Sequence, residues 1–263
     1  MSVVAGRVSW RSVALPSEHG GWSLTAEPAL LGLLVAWSWP GLALGVAAMV
    51  AFVARTPLKL VLVDRWRHRR LDRTRLAASI AAVELVVLAM LSGYAIWAGE
   101  PGFWVPLAVA APLVILELWY DMRSRGRRLV PELAGTVGIG AVAAAIALAG
   151  GETERVAWGL WVVMAARSIA AVPYVRAQIL RARSRPGPRW HSDLGQLIAV
   201  LLVAVAWASD LVPGPAAIAI GALAVIDAAA LRMPPKPAVV IGIQQTVFGV
   251  LVIVTTAIAV AAS

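Results

Sequence analysis

The chain has 263 residues, 60% of them hydrophobic and only 14% charged, with a mean hydropathy of +0.82. That balance excludes a soluble domain of this length and points to an integral membrane protein. The absence of cysteine excludes disulfides, a thiol nucleophile and thiolate-held clusters, and the formal net charge of +9 raises nucleic acid as a partner until its placement is considered.

Nine apolar segments follow one another, at 23–39, 42–62, 76–98, 103–120, 131–150, 156–180, 194–208, 213–231 and 238–262. Their long Ala, Val, Leu and Ile runs lack the alternation of a barrel strand, so the expected fold is all-α. The reading is a single integral membrane domain, 1–263, of about nine transmembrane helices. The stretch before Pro16 carries Arg7 and Arg11 but no uninterrupted apolar core, so the first membrane helix is expected to be its own insertion signal. Counted by loops, 21 of the 23 Lys and Arg fall on one side: in the leader, between 55 and 75, 123 and 128, 176 and 189, and at Arg232 and Lys236. Basic loops of that kind stay inside, which predicts a cytoplasmic N-terminus and an outer C-terminus. An anionic inner leaflet also accounts for the charge without nucleic acid.

In chain order, the first polar concentration is 15–28, Leu-Pro-Ser-Glu-His-Gly-Gly-Trp-Ser-Leu-Thr-Ala-Glu-Pro. Ser17 can cap a helix, Glu18 and His19 sit at its mouth, and Glu27 lies about two turns further in. The second segment carries Arg55, Lys59 and Asp64 on its inner half with Pro57 between them, and Arg65 follows. Glu117 and Asp121 are four apart and share a helix face. Arg167 lies mid-segment, where a charge costs at least about 2.5 to 3.5 kcal/mol and therefore faces the bundle interior. Periodicity places Tyr174 and, less closely, Gln178 toward the same side, with Arg176 nearby. Counter-charges available to Arg167 are Glu27, Glu84 and Glu117, with Glu27 or Glu84 favoured. His19, His68 and His191 all fall on the inner side, yet they come from separate loops and offer no paired metal-ligand spacing.

Pro16-Ser17-Glu18-His19-Gly20-Gly21-Trp22, Arg55-Thr56-Pro57-Leu58, Glu132-Leu133-Ala134-Gly135 and Ala166-Arg167-Ser168 with Tyr174-Val175-Arg176-Ala177 together resemble the YwiC-like family of bacterial membrane proteins. The family supplies no activity. The nine-segment topology is also similar, more distantly, to the UbiA superfamily of intramembrane prenyltransferases, in which Mg²⁺ bridges two Asp-rich loops to a prenyl diphosphate. That resemblance implies a UbiA-like bundle and admits Mg²⁺ as a cofactor. The chain departs from it where the loops after the second and sixth segments offer only Asp64, Asp72 and Asp193 among arginines.

The resulting expectation is a cytoplasm-facing polar cavity that binds an isoprenoid or another anionic amphiphile, with transfer or modification as the UbiA-like chemistry. Arg55, Lys59, Arg65, Arg167, Tyr174 and Arg176 are the candidate substrate-binding residues. Glu18, His19, Glu27 and Asp64 are the candidate catalytic residues, positioning a metal or moving a proton. A permease for a small anion and a non-enzymatic membrane scaffold are the alternatives. One shared cavity should gather these groups, since unpaired charges in hydrocarbon cost several kcal/mol each.

Overall fold

The computed structural model describes residues 10–14, 19–68, 71–123, 128–184 and 189–263. Among these the chain forms ten helices: a short α1 (Trp10–Ala14), then α2 (His19–Val35), α3 (Trp39–Trp66), α4 (Asp72–Ala98), α5 (Trp104–Met122), α6 (Leu129–Ala149), α7 (Glu154–Ala182), α8 (Trp190–Ala208), α9 (Gly214–Ala230) and α10 (Ala238–Ala261). Apolar runs of this length form helices because a helix satisfies its backbone groups internally where no water can do so. Seven of them, α3 to α8 and α10, are long and apolar enough to cross a membrane. At 17 residues each, α2 and α9 reach about 26 Å, the low end of what spans a hydrocarbon core of about 30 Å.

The helix ends follow local chemistry. Ser38 caps α3, its hydroxyl accepting from the Gly41 amide at 3.0 Å, and Pro40 sits in the first turn. Trp39 therefore opens α3 rather than closing the first apolar segment, and α2 runs from His19 to Val35 instead of the predicted 23–39. At its other end α3 continues past the predicted 62 to Trp66. The buried Asp64 anchors this added turn, accepting from the Thr74 hydroxyl at 2.6 Å and from Arg73 at 3.3 Å. His68, Ser184 and Asp210, just beyond α3, α7 and α8, take left-handed backbone conformations that turn the chain out of each helix.

The bundle is built around α6 and α7. Two thirds of each membrane span is buried inside the protein, against 11% for α4. Small residues make this close approach geometrically accessible: Ala141, Ala143, Ala144, Ala145 and Ala147 on α6 and Ala157 and Ala166 on α7 are fully buried. Around this centre α2, α3 and α5 pack on α6, while α8, α9 and α10 pack on α7, and α2 also meets α10. On the periphery, α4 packs mainly on α3 and presents Val83, Val86, Met90, Ile96 and Trp97 outward, a surface suited to lipid tails. The C-terminal ends of α3 and α5 lie together, as do those of α7 and α9, at the end where most of the basic residues fall. There Arg181 donates to the Leu231 and Met233 carbonyls, and Arg232 meets Asp193 at 3.1 Å.

Candidate functional site

Arg167, mid-way along α7 and 4% exposed, meets two other helices and is linked to a third through Gln245. Its two terminal nitrogens donate to Gln245 of α10, one to the side-chain oxygen at 2.9 Å and one to the backbone carbonyl at 2.6 Å. Its Nε stands 3.7 Å from Oε2 of Glu27 on α2, close enough for an ion pair but not for a hydrogen bond. The Gln245 amide nitrogen in turn donates to both carboxylate oxygens of Asp227 on α9, at 3.1 and 3.2 Å. Glu27, Arg167, Asp227 and Gln245 are all buried. Of the two acids the sequence favoured as counter-charges for Arg167, Glu27 and Glu84, it is Glu27 that stands beside it. Gly249, one turn after Gln245, leaves the space that the Glu27 carboxyl group fills, so a Cβ there would make that carboxyl group shift.

A second cluster joins α3 to α5. Arg55 reaches Glu117 at 2.6 Å and Asp121 at 2.7 Å, and Lys59 reaches the other oxygen of Asp121 at 2.9 Å. Asp121 is almost wholly buried, while Arg55 and Lys59 keep part of their surface open. The two helices otherwise pack sparsely, so these charges form much of the link between them. Glu117 also lies against α6, where Gly135 leaves the space its carboxylate fills. A third pair, Arg176 of α7 with Glu132 of α6, lies at 3.2 Å.

The cations expected to converge on one cavity thus form three pairings, each with an acid on a neighbouring helix. Local pairing removes the cost of an isolated charge at the nearest available carboxylate, so a shared cavity is not needed for that purpose. Tyr174 is fully buried against Ile241, Ala230 and Leu231, and its hydroxyl accepts from Gln178 at 3.2 Å. Arg65 is exposed at the end of α3. Asp64 is directed to the first turn of α4. Glu18 lies outside the described residues; His19 opens α2, and its side chain lies outside them too.

Among the described residues no three His, Asp or Glu side chains come together in a way that could hold a metal ion. The acids of the two loops do not make a Mg²⁺ donor set among the described residues, since Asp64 bonds Thr74 and Arg73, Asp193 bonds Arg232, and neither they nor Asp72 belongs to a cluster of three such ligands. At the basic end a cleft lined by Trp66, Arg67, Met122 and Arg123 opens where α3 and α5 terminate. Arg123 lies 4.1 Å over the Trp119 ring beside it. Sequence reasoning passed over Asp227 and Gln245, although a lone Asp in Val-Ile-Asp-Ala-Ala and the Gln-Gln pair in an apolar run were the available signals.

No curated protein and no solved structure matches the chain. A family model described as YwiC-like protein matches residues 15–147, which takes in Glu27, the Arg55–Lys59–Glu117–Asp121 cluster and Glu132. An all-helical, multi-pass membrane bundle matching that model over half its length is a member of the YwiC-like family.

Proposed function

We propose that this membrane protein binds an isoprenoid or another anionic amphiphile at its basic end, in the manner of a UbiA-like bundle without the Asp-rich metal loops. The observation that carries this reading is the α3–α5 junction, which charged groups hold more than apolar packing does. Arg55 and Lys59 are the partly open members of that junction. A phosphate or carboxylate head could replace Glu117 or Asp121 as their partner, since guanidinium binds either oxyanion by the same fork geometry. The neighbouring Trp66, Arg67, Met122 and Arg123 cleft offers charge for a head and apolar surface for a chain. In this reading the basic end faces the cytoplasm, with the N-terminus inside and the C-terminus outside the bacterial cytoplasmic membrane. Transfer or modification of the bound amphiphile is the corresponding chemistry, carried by this chain's own side chains.

The test is deletion of the gene followed by comparison of membrane lipids and quinones. An altered isoprenoid or anionic-lipid profile, restored by the wild-type gene but not by Arg55→Gln, supports the proposal. A profile unchanged under every growth condition overturns it. A second reading, a permease for a small anion, is favoured by the charge network around Arg167 at membrane depth. Ion flux into liposomes that Arg167→Ala abolishes would move the assignment there.

A further inference from the structure

The charge around Arg167 does not balance. One guanidinium faces two carboxyl groups, Glu27 at 5% and Asp227 at 2% exposure, so with both acids ionised the site would carry a net negative charge inside the membrane. Such a charge is expensive there, and a proton on one acid removes it.

The hydrogen bonds distinguish the two acids. Both oxygens of Asp227 accept from the Gln245 amide, whose own oxygen accepts from Arg167; the bridge thus couples Asp227 to the guanidinium. Glu27 has neither support: its Oε1 is buried with no hydrogen-bond partner, and its Oε2 lies 3.7 Å from an Arg167 Nε that is likewise unpartnered. The other groups near these acids do not change the count. From α10 they meet only the neutral Gln245 and Gly249, from α7 the Tyr174 phenol lies toward Asp227, and Asp193 at the start of α8 is engaged with Arg232. Among the described residues, Arg55 and Lys59 of α3 are directed to α5, Asp64 of α3 to α4 and Glu132 of α6 to α7, rather than to Glu27.

We infer that Glu27 holds one exchangeable proton in a site between α2, α7 and α10. In the loaded state the neutral carboxylic acid faces the neutral Asp227–Gln245–Arg167 chain. Release gives the proton to water and leaves a carboxylate, which closes on the open Arg167 Nε. Glu27 lies eight residues into α2, about 12 Å along the helix from its basic-end start. The absence of a side chain at Gly249 sets α10 directly against the moving carboxyl group, so loading and release alter the α2–α10 contact. This goes beyond the amphiphile reading and stands without it.

The experiment is infrared difference spectroscopy of the full chain in lipid nanodiscs at neutral pH, read at the C=O stretch of protonated carboxyl groups and its downshift in D₂O. Wild type should show an exchangeable band that Glu27→Gln abolishes. Asp227→Asn should abolish it as well, because one acid and one guanidinium then balance and Glu27 ionises. Any contribution from Glu84 on the lipid-facing α4 is identified by Glu84→Gln and should not respond to Asp227→Asn. Absence of the band in wild type, or its persistence in Glu27→Gln or Asp227→Asn, overturns the inference. A band that disappears when sodium replaces choline at constant pH overturns it too, by placing a metal cation where the proton is assigned. Should Glu27→Gln fail to fold, the Asp227→Asn spectrum decides.

Discussion

Replacing Arg167 with Met removes the one cation in the buried network while nearly keeping its volume. The substitution deletes two hydrogen bonds to Gln245 and the 3.7 Å approach to Glu27, and it leaves Asp227 buried with only an amide for a partner. Breaking a buried charge pair by removing one partner costs about 3 to 5 kcal/mol. Uptake of a proton by Asp227 keeps this case near the lower figure. Reversible unfolding in mixed micelles of increasing denaturing detergent would measure it. If the cost is the stranded acid, then Arg167→Met combined with Asp227→Asn should be more stable than the sum of the single changes by at least about 1 kcal/mol, within the range of direct coupling. A cost below about 1 kcal/mol for Arg167→Met, or simple additivity in the double variant, would refute the claim that this network is an electrostatic unit.

Gly249→Ala should destabilise by about 1 to 3 kcal/mol through overpacking, and Glu27→Ala in the same chain should relieve it, both read by the same unfolding assay. Asp121→Asn removes the charge that Arg55 and Lys59 share; electron-electron distance measurements between spin labels on α3 and α5 should show a broader, longer distribution than wild type. Asp64→Asn should cost about 1 to 3 kcal/mol by weakening the Thr74 and Arg73 bonds, yet leave the lipid profile of a complemented deletion strain unchanged. Arg155→Ala, at an exposed pair with Asp210, should change stability by less than about 1 kcal/mol and so marks the scale of a surface interaction.

The helical membrane fold was legible because hydrocarbon leaves the backbone few choices: an apolar run of sufficient length becomes a helix whatever packs beside it. The boundaries were less so, since Ser38 hands Trp39 to the following helix through one side-chain hydrogen bond that hydropathy does not register. Arg167 stood out as a charge in an apolar run, and cost alone called for a buried acid beside it; the choice between Glu27 and Glu84 depended on the helix packing, which brings Glu27 to it. Asp227 did not stand out, because it lies only a turn from the end of α9, where a carboxylate reads as an interfacial group; its role depends on how α9 and α10 are placed, which is long-range information. The same holds for Gly135 and Gly249, small residues that a sequence cannot separate from the many others lining these helices until the opposing carboxylates are seen.

The central claim, that the basic end binds an anionic amphiphile through Arg55 and Lys59, is tested most directly by native mass spectrometry of the full chain titrated with a prenyl monophosphate and, separately, with the matching uncharged prenol. The account predicts that wild type retains the phosphate at least tenfold more strongly than the prenol, and that Arg55→Gln with Lys59→Gln abolishes the difference. Equal retention of the two amphiphiles by wild type, or a preference untouched by the double substitution, would contradict it.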